Sequence, residues 1–318
     1  MSKKAIVIGS GYAGLSSSTF LAQAGWDVHV LEKHDQPGGR SRFFSEQGFS
    51  FDMGPSWYWM PDVFERYFNS FGKHASDYYT LKRLSPSYRI YWDDGFMDVP
   101  SDYEALKNLF NELEPGAGEK LDQFMEEAAY KYKVGVNKLV YKPSLSWTEF
   151  IDIDLMKGIF RLDVFNNIKS HIAKFFTHPK IRQLMEFPVL FLGALPEHTP
   201  ALYSLMNYAD IKLGTWYPEG GMHQVVQGMY RLAKENGVTF HFNTNVNSIK
   251  VVGSTATQIT AEDGKIFEAD VVVGAADYHF IETSLLEKSA QSYSKKYWDS
   301  RLMAPGSLIY YLGVNKKV

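Results

Sequence analysis

The sequence predicts an α/β fold opened by a strand, a glycine turn, a helix and a second strand, and three observations within the first forty residues predict it. Lys4-Ala5-Ile6-Val7-Ile8 is a short apolar run of the kind that forms a buried strand. Gly9-Ser10-Gly11-Tyr12-Ala13-Gly14 follows it directly and leads into a small-residue helical stretch, Leu15 to Gly25, closed by glycine. Trp26-Asp27-Val28-His29-Val30-Leu31-Glu32 then alternates as a returning strand.

The glycine spacing carries chemistry because each position has a mechanical reason. Gly9 makes the tight turn, Gly11 lets backbone approach a pyrophosphate, and Gly14 lets the helix press on the strand. Phosphates then lie at the helix N-terminus, where unpaired N–H groups and the dipole favour negative charge. Glu32 ends the second strand, eighteen residues after Gly14, where a carboxylate accepts hydrogen bonds from ribose hydroxyls and repels a 2′-phosphate. An isolated glycine motif is weak and has an ordinary loop as its bland reading. The flanking strand, helix and acid make this one a dinucleotide site.

Lys33-His34-Asp35-Gln36-Pro37-Gly38-Gly39-Arg40 adds a second glycine pair and a cation able to pair with phosphate. With that extension the chain resembles the superfamily of FAD-containing amine oxidases and phytoene desaturases, in which the acid is followed closely by a Gly-Gly-Arg turn. The resemblance implies FAD rather than NAD, and an α/β, Rossmann-like FAD-binding domain beside an α+β substrate domain. It implies cofactor contacts at Gly9, Gly11, Tyr12, Ala13, Gly14, Glu32, Lys33, Gly39 and Arg40. His34 reads as a solvated turn residue without a role.

Composition bounds the rest. The 318 residues suffice for two domains, and the formal charge of −3 gives no sign of a nucleic-acid partner. With no cysteine, neither a disulfide framework nor a thiolate metal site can form, and the histidines and acids show no ligand spacing, so no metal is expected. No signal or transit peptide is read at the N-terminus, so a cytoplasmic protein is expected, peripheral at the inner face of the membrane if it meets lipid. The most apolar stretch, Leu184 to Leu195, is interrupted by Glu186 and Pro188 and falls short of the roughly 20 residues of a spanning helix. Aromatic residues make up 15% of the chain, enough for a core and also suited to a cavity for a long apolar ligand.

Further along, Ser41 to Phe51 reads as extended and ends in Asp52-Met53-Gly54-Pro55-Ser56-Trp57-Tyr58-Trp59. By resemblance Gly54, Pro55 and Ser56 lie near the isoalloxazine, and Gly-Pro-Ser-Trp followed by Met-Pro-Asp-Val-Phe narrows the likeness to phytoene desaturases. The plain alternative is a packed tryptophan cluster. Pro61 to Phe71 reads as a helix, Tyr88–Trp92 and Phe96–Pro100 as a hairpin, Tyr103 to Glu112 as a helix with an N-cap and capping-box acid, and Glu119 to Leu139 as a long helix. Leu155, Ile159, Leu162, Phe165, Ile168, Ile172, Phe175 and Phe176 recur at helical spacing with Lys157, Arg161, Lys169 and Lys174 interleaved. Such a basic amphipathic segment either packs on its own domain or dips into anionic lipid, and both readings stay open. Phe187 to Tyr208 is an apolar wall, a tunnel boundary or buried core.

Gly214 to Met222 marks the return to the nucleotide domain, followed by a helix from Met222 to Asn236 and a strand from Val238 to Phe242. The resemblance places the backbone of Val246 at adenine. It also makes Glu268 to Asp277 a second nucleotide-domain fingerprint, with Ala275 where relatives carry Asn. Gly306 to Val314 reads as hairpin-like. The family's later glycine-rich turn has no match here, so the sequence is read as lacking the family's C-terminal portion.

The expected organisation is a discontinuous FAD-binding domain, 1–75 and 214–285, with a substrate-binding domain, 76–213 and 286–318, carrying the candidate membrane-facing helices. The function implied is FAD-dependent desaturation of phytoene or a related carotenoid polyene by hydride transfer from C–H to flavin. The partners implied are the polyene, a membrane surface and an electron acceptor the sequence does not identify. A flavin-dependent carotenoid isomerase shares every motif named. A non-catalytic prenyl- or lipid-binding protein of the same fold is the other alternative, against which the Gly-Gly-Arg turn beside Glu32 argues. No catalytic residue is assigned: Asp52 is a conceivable base, with stabilisation of its turn as the competing role.

Overall fold

The computed structural model describes residues 2–143, 145–146, 163–304 and 306–316. Its centre is β1 (Lys4–Ile8), which pairs in parallel with β2 (Asp27–Leu31) through the crossover helix α1 (Tyr12–Gln23). Ala5, Ile6 and Val7 are 0% exposed, as expected for a parallel strand covered on both faces. Successive side chains point to opposite faces, and two different cores result. Ile6 and Ile8 pack with Val246, Ile249 and Ile259, whereas Ala5 and Val7 pack with Val28, Val30, Ala233 and Val238.

β3 (Phe43–Glu46) and β4 (Phe49–Asp52) form an antiparallel hairpin. The stretch expected to run extended from Ser41 to Phe51 therefore folds back on itself. Gln47 and Gly48 both have positive φ, the backbone state a two-residue hairpin turn needs. α2 (Pro61–Asn69) starts on a proline, whose missing N–H costs nothing at a helix start.

β5 (Leu81–Arg83) precedes the expected hairpin, β6 (Tyr88–Trp92) and β7 (Gly95–Val99). The helices α3 (Tyr103–Leu113), α4 (Ala117–Asn137), α5 (Ile168–Phe175), α6 (Pro179–Glu186) and α7 (Leu205–Ile211) follow. Asp102 alone caps α3, accepting from the N–H of Ala105 at 2.8 Å. These helices share one core, in which Leu106, Phe110, Leu121, Phe124, Ile172, Phe176 and Met185 are essentially unexposed. Each such side chain contributes about 1.5–3 kcal/mol of burial.

The basic amphipathic stretch is only partly within the described residues, since Leu155, Ile159 and Leu162 lie outside them. Of the rest, Ile168, Ile172 and Phe176 are 0% exposed in the helical core and Phe165 is 83% exposed. Ile168, Ile172 and Phe176 therefore serve the protein's own packing, whereas Phe165 does not.

β8 (Trp216–Pro218) pairs antiparallel with β5, and α8 (His223–Glu235) packs beside α1. β9 (Thr239–His241) joins the outer edge of β2. β10 (Val246–Val252), β11 (Thr255–Ala261) and β12 (Ile266–Glu268) form an antiparallel meander. β13 (Val271–Gly274) completes the parallel sheet on the free side of β1, so the order is β13-β1-β2-β9. Helices α1 and α8 lie on one face of this sheet and the meander on the other.

Residues 306–314 form no hairpin, contrary to expectation. An extended segment without a neighbour leaves its N–H and C=O groups unpaired, so it does not persist as a strand. It is held by side chains instead: the Tyr311 ring packs 4.9 Å from Phe44 and its hydroxyl donates to the Met53 carbonyl at 3.1 Å. Among the described residues no helix is long and apolar enough to cross a membrane, and no group of three ligating side chains could hold a metal.

Candidate functional site

The turn between β1 and α1 is built by close backbone contact. The N–H of Gly9 donates to the Leu31 carbonyl at 2.8 Å, tying the turn to β2. A Cβ on Gly14 would overlap the Gly9 carbonyl, so only glycine lets the first turn of α1 settle there. A Cβ on Gly11 would meet nothing within 4 Å, which leaves the approach to the helix N-terminus open. Gly11 is the N-cap and supplies no side-chain cap, so the first N–H groups, those of Tyr12 and Ala13 among them, keep their capacity for an anion.

The Gly-Gly-Arg turn closes onto this opening. Gly38 donates to the Ser10 carbonyl at 2.9 Å, and a Cβ on Gly39 would lie 3.4 Å from the Cα of Gly11. Arg40 is exposed and, among the described residues, has no hydrogen-bond or ion-pair partner. Gly54 presses on it from the far side, where a Cβ would overlap the Arg40 carbonyl. The structure thus gathers Gly9, Gly11, Gly14, Gly39, Arg40 and Gly54 into one continuous backbone cradle, with Pro55 and Ser56 next in the chain.

Glu32 is 4% exposed at the end of β2. One carboxylate oxygen accepts from the Ser10 N–H at 2.8 Å and the Ser10 hydroxyl at 2.7 Å, the other from the His34 N–H at 3.0 Å. A carboxylate has about four acceptor sites, so one stays available for a ribose hydroxyl. The Thr244 N–H donates to the Glu32 carbonyl at 2.8 Å, drawing the loop before β10 alongside. Val246 follows at the start of β10, 6% exposed and packed in the core. Lys33 points to solvent, and the Tyr12 ring turns inward against Phe64, where burial raises its phenol pKa.

Asp52 is a joint rather than an open carboxylate. It accepts from the Met222 N–H at 2.7 Å, the His223 N–H at 3.0 Å and the Tyr217 hydroxyl at 2.9 Å. It therefore holds β4 to the start of α8, where the helix dipole favours a negative charge. Burial, followed by the hydrogen bond to Asp52, pushes the Tyr217 hydroxyl up to about 12.

Immediately beyond the cradle the chain becomes aromatic. The Trp57 ring lies 4.7 Å from Tyr88, 5.1 Å from Phe187 and 5.5 Å from Phe191, and the Trp59 ring lies 5.0 Å from Phe191. The stretch from Phe187 to Leu195 divides between the two expected fates: Pro188 and Val189 are buried, whereas Leu190, Phe191, Leu192 and Leu195 are exposed. Beneath this wall sits Asp210, 3% exposed, whose carboxyl burial pushes up to about 6 despite hydrogen bonds from Tyr88 and Thr215.

Ser10 and Asp210 were given no role by the sequence, and Gly38 was visible only as half of the second glycine pair. Ser10 occupies a variable place in the glycine motif, although its hydroxyl was the one polar group there able to meet Glu32. Asp210 stands in a helical run that offers no local signal.

The cradle and the residues around it fit an adenine dinucleotide bearing a flavin, and the comparisons agree. The model of the flavin containing amine oxidoreductase family matches residues 12–305. A carotenoid 3,4-desaturase of Haloarcula japonica is 40% identical over 98% of this chain, and a zeta-carotene-forming phytoene desaturase of Myxococcus xanthus is 30% identical over 99%. The chain spans 63% and 61% of those two proteins' lengths. A solved oxidoreductase from Methanosarcina mazei shares the fold with a TM-score of 0.57 at 19% identity, over 92% of this chain and 63% of its own.

Proposed function

Since the chain belongs to the flavin-containing amine oxidoreductase family, whose cofactor is FAD, we propose that it serves the FAD-dependent desaturation of a long carotenoid-type polyene. One observation carries the reading: the backbone cradle from Gly9 to Gly54 runs without a break into the aromatic wall of Trp57 and Trp59. A phosphate-binding end and an apolar end are thereby joined within one short segment. The desaturase relatives support the same substrate class.

FAD, when bound, supplies the acceptor for the two electrons that leave a C–H bond. The protein's own residues hold and orient. The N–H groups after Gly11 and the free guanidinium of Arg40 would take the pyrophosphate, Glu32 the ribose, and the backbone at Val246 the adenine. Gly54, Pro55 and Ser56 would lie against the ring system. A hydrocarbon offers no charge to grip, so the wall must exclude water and fix the position of one carbon along the chain. Asp52 already accepts three hydrogen bonds and is assigned to scaffolding, with no proton transfer.

The same reading divides the chain into a FAD-binding domain, 1–75 and 214–285, and a substrate domain, 76–213 and 286–318. In support, all four strands of the parallel sheet come from the first and the large helical core from the second. A bilayer-dissolved polyene requires lipid contact, and the exposed Leu190, Phe191, Leu192 and Leu195 beside the wall support a peripheral membrane placement.

The test incubates the full-length protein, carrying FAD, with liposomes containing phytoene and follows the polyene absorbance. Growth of longer-wavelength bands is expected, with loss of hydrogen confirmed by product mass. An unchanged spectrum with flavin bound would overturn the reading, and a product of unchanged mass would reassign it to isomerisation.

A further inference from the structure

Asp210 on α7 is the root of a directional hydrogen-bond chain that ends in the aromatic wall. The Trp59 indole N–H donates to the Thr215 hydroxyl at 2.8 Å, Thr215 donates to one Asp210 oxygen at 2.9 Å, and the Tyr88 hydroxyl donates to the other at 2.7 Å. Thr215 is 1% exposed, so water does not compete for these groups. An indole has no acceptor and a hydroxyl has one proton, so the direction of every bond follows from the ionised carboxylate. Both wall elements are therefore tied to one atom group: Trp59 through Thr215, and Trp57 through its packing on the Tyr88 ring.

Among the described residues no cation stands beside the carboxylate, and only the Tyr88 and Thr215 hydroxyls donate to it. A fold needing only a helix–strand tether would be served as well by a neutral side chain, because an unpaired buried charge is costly. The ionised carboxylate presents an acceptor on each of its two oxygens, so Thr215 on one and Tyr88 on the other both donate, whereas an amide would turn an NH2 group toward one of them.

We propose that Asp210 is a positioning residue for the polyene, holding Trp57, Trp59 and Tyr88 in the one arrangement that sets which carbon of the hydrocarbon rests beside Gly54 to Ser56. This rests on the functional reading above and deepens it. Asp210 touches neither cofactor nor substrate, and acts through the wall.

The experiment compares wild type with D210N, whose amide accepts from one hydroxyl only, and with T215V, which cuts the link to Trp59 and leaves Tyr88 in place. Each protein is loaded with FAD and assayed on phytoene liposomes from pH 5 to pH 8, and tryptophan emission is recorded over the same range. For D210N we expect the bound-flavin spectrum of wild type, a KM for phytoene raised about fivefold or more, a smaller change in kcat, an altered ratio of desaturation products and a flattened acid limb. T215V should reproduce the shift in KM and products with an acid limb still present but displaced to higher pH, because the Thr215 hydroxyl that lowers the Asp210 pKa is gone. A folded, flavin-bearing D210N with unchanged KM, products and pH profile would overturn the proposal. Should wild type carry flavin and leave phytoene unchanged, the functional reading fails separately. Emission then decides for Asp210: a wild-type titration absent from D210N sustains its hold on the wall, and identical curves remove it.

Discussion

The carbonyl of Arg40 and the α-carbon of Gly54 are in such close contact that no Cβ fits between them. The β3–β4 hairpin joins the two residues, so the end of the hairpin locks its own beginning. Alanine at Gly54 must push the Gly-Gly-Arg turn away from Gly11. Gly54 is exposed and the fold should survive. We expect G54A to keep its circular dichroism and to bind FAD at least about 10-fold more weakly, a loss of about 1.4 kcal/mol, measured by titrating flavin fluorescence.

Glu32 should be irreplaceable by its amide. Three donors converge on its carboxylate, whereas glutamine offers one acceptor and two further donors. E32Q should therefore lose about 1–3 kcal/mol of stability in urea even without cofactor. FAD affinity should fall as well. Equal urea midpoints for the two proteins would show that the convergence has no energetic weight.

Asp52 separates scaffold from catalyst. D52N turns an NH2 group toward one of the two N–H groups at the start of α8, which donate to separate Asp52 oxygens, and should cost about 1–2 kcal/mol. Turnover per bound flavin should stay within the same order of magnitude. A general base would lose about 100-fold or more in that assay.

Two buried acids should push stability in opposite directions with pH. Burial raises the Glu114 carboxyl, but the Lys120 ammonium and the N–H groups of His178 and Thr177 outweigh it and hold it down at about 2. Its contribution is present above the ordinary carboxylate range and is lost as pH falls toward 2. Asp210 is raised to about 6, so its contribution is present below its ordinary value and is lost as pH rises through 6. Urea midpoints against pH should show E114Q flattening the acid side, at a cost of about 2 kcal/mol at neutrality, and D210N flattening the decline that wild type shows as pH rises toward 6.

What the sequence disclosed was what neighbours in the chain decide. β1, α1 and β2 follow from apolar runs and glycine spacing within a few turns of backbone, and the β6–β7 hairpin from two alternating runs around a glycine. The β3–β4 hairpin was missed because Gln47-Gly48 lacks the Asn or Asp that usually announces such a turn. Within the site, the glycines were visible as a motif, but the closure of Gly39 on Gly11 and Gly54 on Arg40 depends on a folded hairpin. The Asp210 network was invisible for a deeper reason: it joins Tyr88 across 122 positions, and Trp59 reaches Thr215 across 156. Propensity carries no information at that range.

The placement of β13 beside β1 has a consequence for synthesis. The Lys4 N–H meets the Asp270 carboxylate at 2.7 Å across 266 positions, so the central strand keeps one bare edge until β13 has left the ribosome. Closing so long a loop is slow, and an apolar strand waiting unpaired invites the wrong neighbour. The nascent protein should therefore depend on chaperones until Val271 emerges, and ribosome-stalled chains ending before that residue should be the ones that aggregate on release.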